Sequence, residues 1–188
     1  APDAGRVRLA GRDITALGPA ARCRLGIARS FQVPQPFAGM TVFENLLVAA
    51  VFGAGLRGRA ADAACAGILE RCGLAARAGQ PAGTLTLLDR KRLELARALA
   101  ARPRLLLLDE VAGGLTEPEC AALVALIREV HRSGVTILWI EHVVHALVAA
   151  VERLVVLHGG SCLADGPPRA VLARTEVAEI YLGLPADA

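Results

Sequence analysis

Apolar and polar positions along the chain fall into two rhythms. Val7-Arg8-Leu9-Ala10-Gly11 reads as a short strand and turn. Gly26-Ile27-Ala28-Arg29-Ser30-Phe31-Gln32 reads as a strand that runs into a loop bounded by Pro34 and Pro36, which can continue neither a ladder nor a helix. Thr41 then opens a helix: its hydroxyl caps the first turn, Glu44 reaches back, and Val42, Phe43, Leu46 and Leu47 supply the apolar face. A Gly-rich stretch, Phe52 to Gly58, breaks that pattern before an Ala-rich helix from about Ala60 to Cys72. From Asp89 to Ala101, Leu93, Leu95, Ala96, Leu99 and Ala100 interleave with Arg90, Lys91, Arg92, Glu94 and Arg97, which predicts an amphipathic helix ended by Pro103. Leu105-Leu106-Leu107-Leu108 before Asp109-Glu110 predicts a central parallel strand, apolar on both faces, with its charges at the carboxyl end. Thr116, Pro118 and Glu119 start another capped helix, in which Leu123, Leu126, Ile127 and Val130 recur at i, i+3, i+4 and i+7. Gly134 ends it, and Val135 to Ile140 predicts a second buried strand closed by Glu141-His142. Arg153 to Leu157 and Ser161 to Ala164 pair as a hairpin about Gly159-Gly160. Two short helices follow, one after Pro167-Pro168 and one from Thr175 through Val177, Ile180 and Tyr181. No internal repeat is visible.

Composition sharpens this into an α/β expectation. The 188 residues make one domain's worth of chain, and 54% apolar content with 3% aromatics rests on Ala, Leu and Val. That mixture suits helices and buried parallel strands better than an aromatic-rich barrel. A net charge of +3, spread along the chain, supplies no basic block for nucleic acid. The longest apolar runs fall far short of the roughly 20 residues that span a bilayer, so a soluble or peripheral chain is expected. Cys23, Cys65, Cys72, Cys120 and Cys162 are odd in number and hold no Cys-x-x-Cys, as for buried thiols in a reducing compartment, most simply the cytoplasm. All but one of the 21 basic residues are arginines; the exception, Lys91, follows Arg90. No Gly-Lys-Ser/Thr therefore occurs in these residues, and with it no phosphate-binding P-loop.

Ligands of an open parallel sheet bind beyond the carboxyl ends of its strands. The residues standing there are Gln32, Asp109, Glu110, Glu141 and His142. An acidic pair after four leucines is costly to bury; either it is an exposed turn, or one carboxylate holds a cation while the other polarises a water, as phosphoryl transfer requires. His142 and His145 beside Glu141 have the spacing of a metal pair but no third ligand signal, which disfavours zinc. Trp139 in a core strand reads as packing.

Phe31-Gln32, Leu105 to Glu110 and Ile140-Glu141-His142, in that order with helices between, resemble the Q-loop, Walker B and switch-histidine segments of an ABC transporter ATPase. Gly11 to Thr15, Gly26 to Gln32, Met40 to Asn45, Arg92 to Leu99 and Tyr181-Leu182-Gly183 further resemble the ATP-binding subunits of branched-chain amino-acid importers. The resemblance implies a P-loop NTPase-like, mostly parallel sheet flanked by helices, with a helical subdomain and signature region over 41–88 and a C-terminal helical tail over 165–188. Across 1–188 it implies an ABC ATPase domain lacking its N-terminal part, the first phosphate-binding strand, loop and helix, which would leave apolar sheet surface and a strand edge uncovered. ATP and Mg²⁺ are the implied cofactors. Asp109 and Gln32 would lie near the metal, Glu110 would be the base that orients the hydrolytic water, and His142 would contact the γ-phosphate. A second ATPase subunit and membrane permease subunits are the implied partners, with a solute-binding protein engaged indirectly, at the cytoplasmic face of the cell membrane. The signature segment departs from the family: Leu85-Thr86-Leu87-Leu88-Asp89 puts Leu88 where a glycine approaches the partner's nucleotide, and Asp89 would turn negative charge toward a phosphate, offset by Arg90, Lys91 and Arg92. Val111 replaces a proline after the acidic pair, and Thr116 an Asp or Asn at the dimer interface. These departures leave an alternative, a non-hydrolysing module that docks to a permease or to a full ATPase partner.

Overall fold

Helices joining successive strands force those strands to run parallel, because a strand that returns over a helix re-enters the sheet in the same direction. The computed structural model describes residues 2–182. A hairpin of β1 (Arg8–Leu9) and β2 (Arg12–Asp13) and a short helix α1 (Pro19–Arg24) precede β3 (Ile27–Arg29). Three helices follow, α2 (Val42–Phe52), α3 (Gly58–Arg71) and α4 (Leu87–Ala100), before β4 (Leu105–Asp109). Helix α5 (Glu117–Arg132) connects to β5 (Thr136–Ile140) and α6 (Val144–Ala150) follows it. The three strands form one parallel sheet in the order β3-β4-β5, with Ala28 opposite Leu106 and Leu108 opposite Trp139. A separate antiparallel hairpin, β6 (Leu154–His158) and β7 (Ser161–Gly166), turns through Gly159 and Gly160, whose φ of 53° and 80° suits a residue without a Cβ. Helix α7 (Pro168–Leu172) and the turns Thr175–Val177 and Ala178–Leu182 pack on that hairpin, burying Val156, Ala164, Val171 and Val177 together. The Tyr181 hydroxyl donates to the Leu157 carbonyl. Gly183, part of the closing motif, lies outside the described residues, as does the remainder of the tail from 184.

The main core lies on one side of the parallel sheet. Leu106 and Leu108 of β4 and Trp139 of β5 pack with Leu93 and Leu99 of α4, Leu123 and Ile127 of α5 and Leu147 of α6. Val42, Leu46 and Ala50 of α2 meet Ala61, Cys65 and Leu69 of α3 in the same cluster. Gly53, at the end of α2, allows the closest approach: a Cβ there would lie 2.8 Å from the Ala101 Cβ. The α2 helix opens as its sequence dictates, with Thr41 and Glu44 exchanging both bonds of a capping box.

Three expectations need correction. The α4 helix begins at Leu87, not at Asp89, because Thr86 caps it by accepting from the Asp89 N–H. Helix α6 was not anticipated; its run, apolar except for His145, has no helical stripe to read. Neither β4 nor β5 is buried on both faces: Leu138 and Ile140 are 57% and 61% exposed, and Leu105 and Leu107 are half-buried. The expected uncovered sheet surface is therefore present. All five cysteines are free thiols, and burial pushes the Cys72 thiol up to about 12. No described helix is long and apolar enough to cross a membrane.

Candidate functional site

The parallel register brings the carboxyl ends of β3, β4 and β5 side by side. Asp109 ends β4, and Glu110 follows it in a left-handed conformation, φ 47°, with its N–H bonded to the Ile140 carbonyl at 2.9 Å. That geometry is unusual for a side chain longer than Asn or Asp, and it turns the Glu110 carboxylate out of the strand line. Gln32 Nε2 donates to Glu110 Oε2 at 2.6 Å. His142 Nδ1 lies 3.4 Å from that same oxygen. Two residues, from the strand ends on either side, thus converge on the one carboxylate at the end of β4.

Gln32 is held there by its loop. Buried Asn45 accepts from the Phe37 N–H at 2.9 Å and donates to the Phe37 carbonyl at 3.2 Å. Buried Glu94 of α4 accepts from the Gln35 N–H at 2.9 Å, and Arg97 donates to the Gln35 carbonyl at 2.8 Å. The Pro-bounded loop is therefore tied to both α2 and α4, which the sequence did not disclose because Gln35 and Glu94 are far apart along the chain.

Asp109 is already paired. Arg29 Nη2 sits 2.7 Å from its Oδ2, with both side chains partly exposed, and the same guanidinium lies 5.1 Å from the Phe31 ring centroid. Glu141 is the residue the sequence reading left without a role. Its side chain is fully buried; Oε2 accepts from the Ala112 N–H at 3.1 Å and from Trp139 Nε1 at 3.2 Å. Trp139 is thus a hydrogen-bond donor as well as packing. Beneath the turn, buried Lys91 donates to the Glu110 carbonyl at 3.4 Å. Burial lowers the Lys91 pKa, and the Glu141 and Glu110 carboxylates oppose that shift.

The signature segment lies apart from this cluster, at the start of α4. Thr86 is exposed, Leu87 is 47% exposed and Leu88 is half-buried. Asp89 does not face outward as expected. It is buried, with Oδ2 bonded to the Thr86 hydroxyl at 2.8 Å and 2.6 Å from Arg77 Nη1. Arg92 is 3.6 Å from its Oδ1. Arg90 and Lys91 do not offset it: Arg90 donates to the carbonyls of Leu85 and Gly83, and Lys91 reaches Glu110. His145 Nε2 lies 4.0 Å from the Cys120 sulfur, and among the described residues no three His, Cys, Asp or Glu side chains cluster as metal ligands.

The chain and its fold are similar to those of known proteins. Residues 1–113 match the model of the ABC transporter family. The chain is 38% identical over 199 residues to the high-affinity branched-chain amino acid transport ATP-binding protein BraF of Pseudomonas aeruginosa, covering 97% of this chain and 77% of that protein. The chain belongs to the ABC transporter family. It is also 35% identical over 198 residues to LivG of Escherichia coli, a protein of the same description, with the same coverage. Among solved structures it resembles the ATP-binding cassette MJ1267 in its ADP conformation, with a TM-score of 0.86 at 30% identity over 97% of this chain and 78% of that one. The parallel sheet and its helices are those of an ABC ATPase cassette.

Proposed function

We propose that this chain is the ATP-binding subunit of an ABC importer and couples ATP hydrolysis to uptake of branched-chain amino acids or a similar small solute. It works as a peripheral subunit at the cytoplasmic face of the cell membrane, with a second ATPase subunit, membrane permease subunits and, indirectly, a solute-binding protein. The convergence of Gln32 and His142 on Glu110 Oε2, at 2.6 and 3.4 Å, carries this reading. Likeness to BraF and LivG supports the solute class.

In this reading Glu110 is the base that orients the attacking water, His142 addresses the γ-phosphate, and Gln32 links the site to the permease through the loop tied to α2 and α4. Glu110 acts on water once Gln32 gives up its bond to Oε2, so nucleotide arrival and loop movement are coupled through one hydrogen bond. Asp109 and Gln32 would hold Mg²⁺: one carboxylate and one amide oxygen are a hard donor set of the kind Mg²⁺ takes alongside water and phosphate oxygens. The ion, when bound, neutralises developing phosphate charge. Thr86 and Leu88, at the exposed start of α4, would meet the nucleotide held by the second subunit, and Asp89 supports them from below through the Thr86 hydroxyl. The helical subdomain of 41–88 and the tail of 165–188 are the proposed subdivisions of the 1–188 ATPase domain.

The phosphate-cradling lysine is not among these residues, so Mg-ATP titration of the 188-residue chain should show little affinity; tight binding would overturn that expectation. Placing a strand, Gly-x-x-Gly-x-Gly-Lys-Ser/Thr and a helix ahead of Ala1 should restore binding and turnover. In that background Glu110→Gln should cut hydrolysis by about 10²–10⁴-fold while retaining Mg-ATP binding. Hydrolysis at the parental rate by the variant removes Glu110 as base. A completed chain that binds but never hydrolyses favours the non-hydrolysing docking module.

A further inference from the structure

A carboxylate with no exposed surface is retained at a cost, and the contacts it makes show what that cost secures. Glu141 follows the last residue of β5, and its side chain is 0% exposed. Its Oε2 takes two donors, the Ala112 N–H at 3.1 Å and Trp139 Nε1 at 3.2 Å. Its Oε1 has no hydrogen-bond partner among the described residues and stands 3.5 Å from His142 Nδ1. The same Nδ1 is 3.4 Å from Glu110 Oε2, so one ring nitrogen faces two carboxylates. A nitrogen so placed is favoured as a donor, and the proton of a neutral imidazole is fixed by the partner of one ring nitrogen, leaving the other for a ligand.

We propose that Glu141 is a positioning residue of this site: it pins the turn after Glu110 through the Ala112 N–H and holds His142 with its proton on Nδ1, directing Nε2 to the substrate. This rests on the ATPase reading for the identity of that substrate, but the geometry invoked lies wholly within the chain. Glu141 also explains the left-handed Glu110. Ala112 is two residues on from Glu110, and its N–H is anchored by a side chain from the neighbouring strand end, so the turn is held from both sides by β5. The buried Lys91 ammonium beneath the turn supplies the compensating charge, close enough that both carboxylates act on it.

The test is nitrogen NMR of the uniformly ¹⁵N-labelled chain at alkaline pH, where imidazoles are neutral. In the parent, His142 should be the Nδ1–H tautomer. Glu141→Gln keeps the shape, and its amide oxygen stays with the two donors, since an amide NH₂ cannot accept them. The NH₂ then faces His142; with the Glu110 carboxylate, the other group facing Nδ1, replaced by Glu110→Gln in parent and variant alike, Nδ1 must accept and the two ring nitrogen shifts should exchange as the proton moves to Nε2. The Trp139 indole N–H resonance reports whether the amide oxygen kept its place. Trp139→Phe, which removes one donor but leaves Glu141 charged, should leave His142 as the Nδ1–H tautomer. A parent His142 protonated on Nε2 overturns the proposal without any variant; so does a Gln variant that keeps Nδ1–H while its indole resonance is unmoved, or a tautomer switch in Trp139→Phe. No nucleotide enters the measurement. Failure of the tautomer test therefore leaves the ATPase reading standing, and failure to bind ATP leaves the tautomer result standing.

Discussion

The two faces of the parallel sheet are built from alternate residues of the same strands, yet they have opposite fates. On one, Ala28, Leu106, Leu108 and Trp139 are sealed beneath α4, α5 and α6. On the other, Leu138 and Ile140 leave more than half of their surface open, and Arg29 and Asp109 form an ion pair beside them. The difference teaches that an apolar strand declares its readiness for burial, while the covering elements decide whether burial happens. The candidate site lies where the two faces end, so its residues divide in the same way. Glu141 belongs to the sealed side, whereas Asp109 belongs to the open one.

The comparison breaks if matched truncations on the two faces cost the same. Leu106→Ala, at a fully buried position, should lower unfolding free energy by about 2–5 kcal/mol in urea denaturation. Asp89→Ala, on the helical side, leaves the Thr86 cap on its N–H but removes a buried carboxylate that lies between two arginines and accepts from the Thr86 hydroxyl; with Arg77 partly exposed, a loss of about 1–3 kcal/mol is expected in the same assay. Lys91→Met should show its effect in the pH profile of stability. Lys91 has a folded-state pKa below its ordinary 10.5, so the unfolded chain binds the proton more readily. Relative to Lys91→Met, the parent should therefore gain stability as pH climbs through the window between the lowered value and 10.5, while the raised Cys72 thiol pulls both profiles down alike. A parent that gains nothing over Lys91→Met in this window would contradict the buried ammonium. Leu138→Ala, on the open face, should change stability by only about 0.5 kcal/mol; a loss near that of Leu106→Ala would mean that the face is covered in solution.

Much of the fold was legible because its signals are local. Thr41 with Glu44 and Thr116 with Glu119 announce helix starts within four residues, and both capping boxes are present. The acidic turn, Gln32 and His142 were legible as strand-end residues and as a family likeness, and the register brings them together. What stayed hidden depends on distant partners. The inward turn of Asp89 is set by Arg77 in the loop before α4. The pairing of Arg29 with Asp109 joins residues of different strands, and nothing near either announces it. Glu141 looked like one more charge at a strand end, because burial of a carboxylate is decided by the Ala112 N–H and the Trp139 indole. The open face was foreseen only through the family likeness, since Val135 to Ile140 reads the same whether or not a helix lies over it.

Lys91 gives the folded molecule an unusual chemical signature. It is the only lysine in the chain and is 5% exposed. Acylating reagents and amine-directed crosslinkers, which ordinarily decorate a protein at many lysines, meet no accessible side-chain amine among the described residues. Modification at Lys91 then requires that α4 part from the turn after β4. The rate at which that single amine is acylated becomes a clock for opening at the floor of the candidate site, read by mass spectrometry from one peptide without a label or a probe.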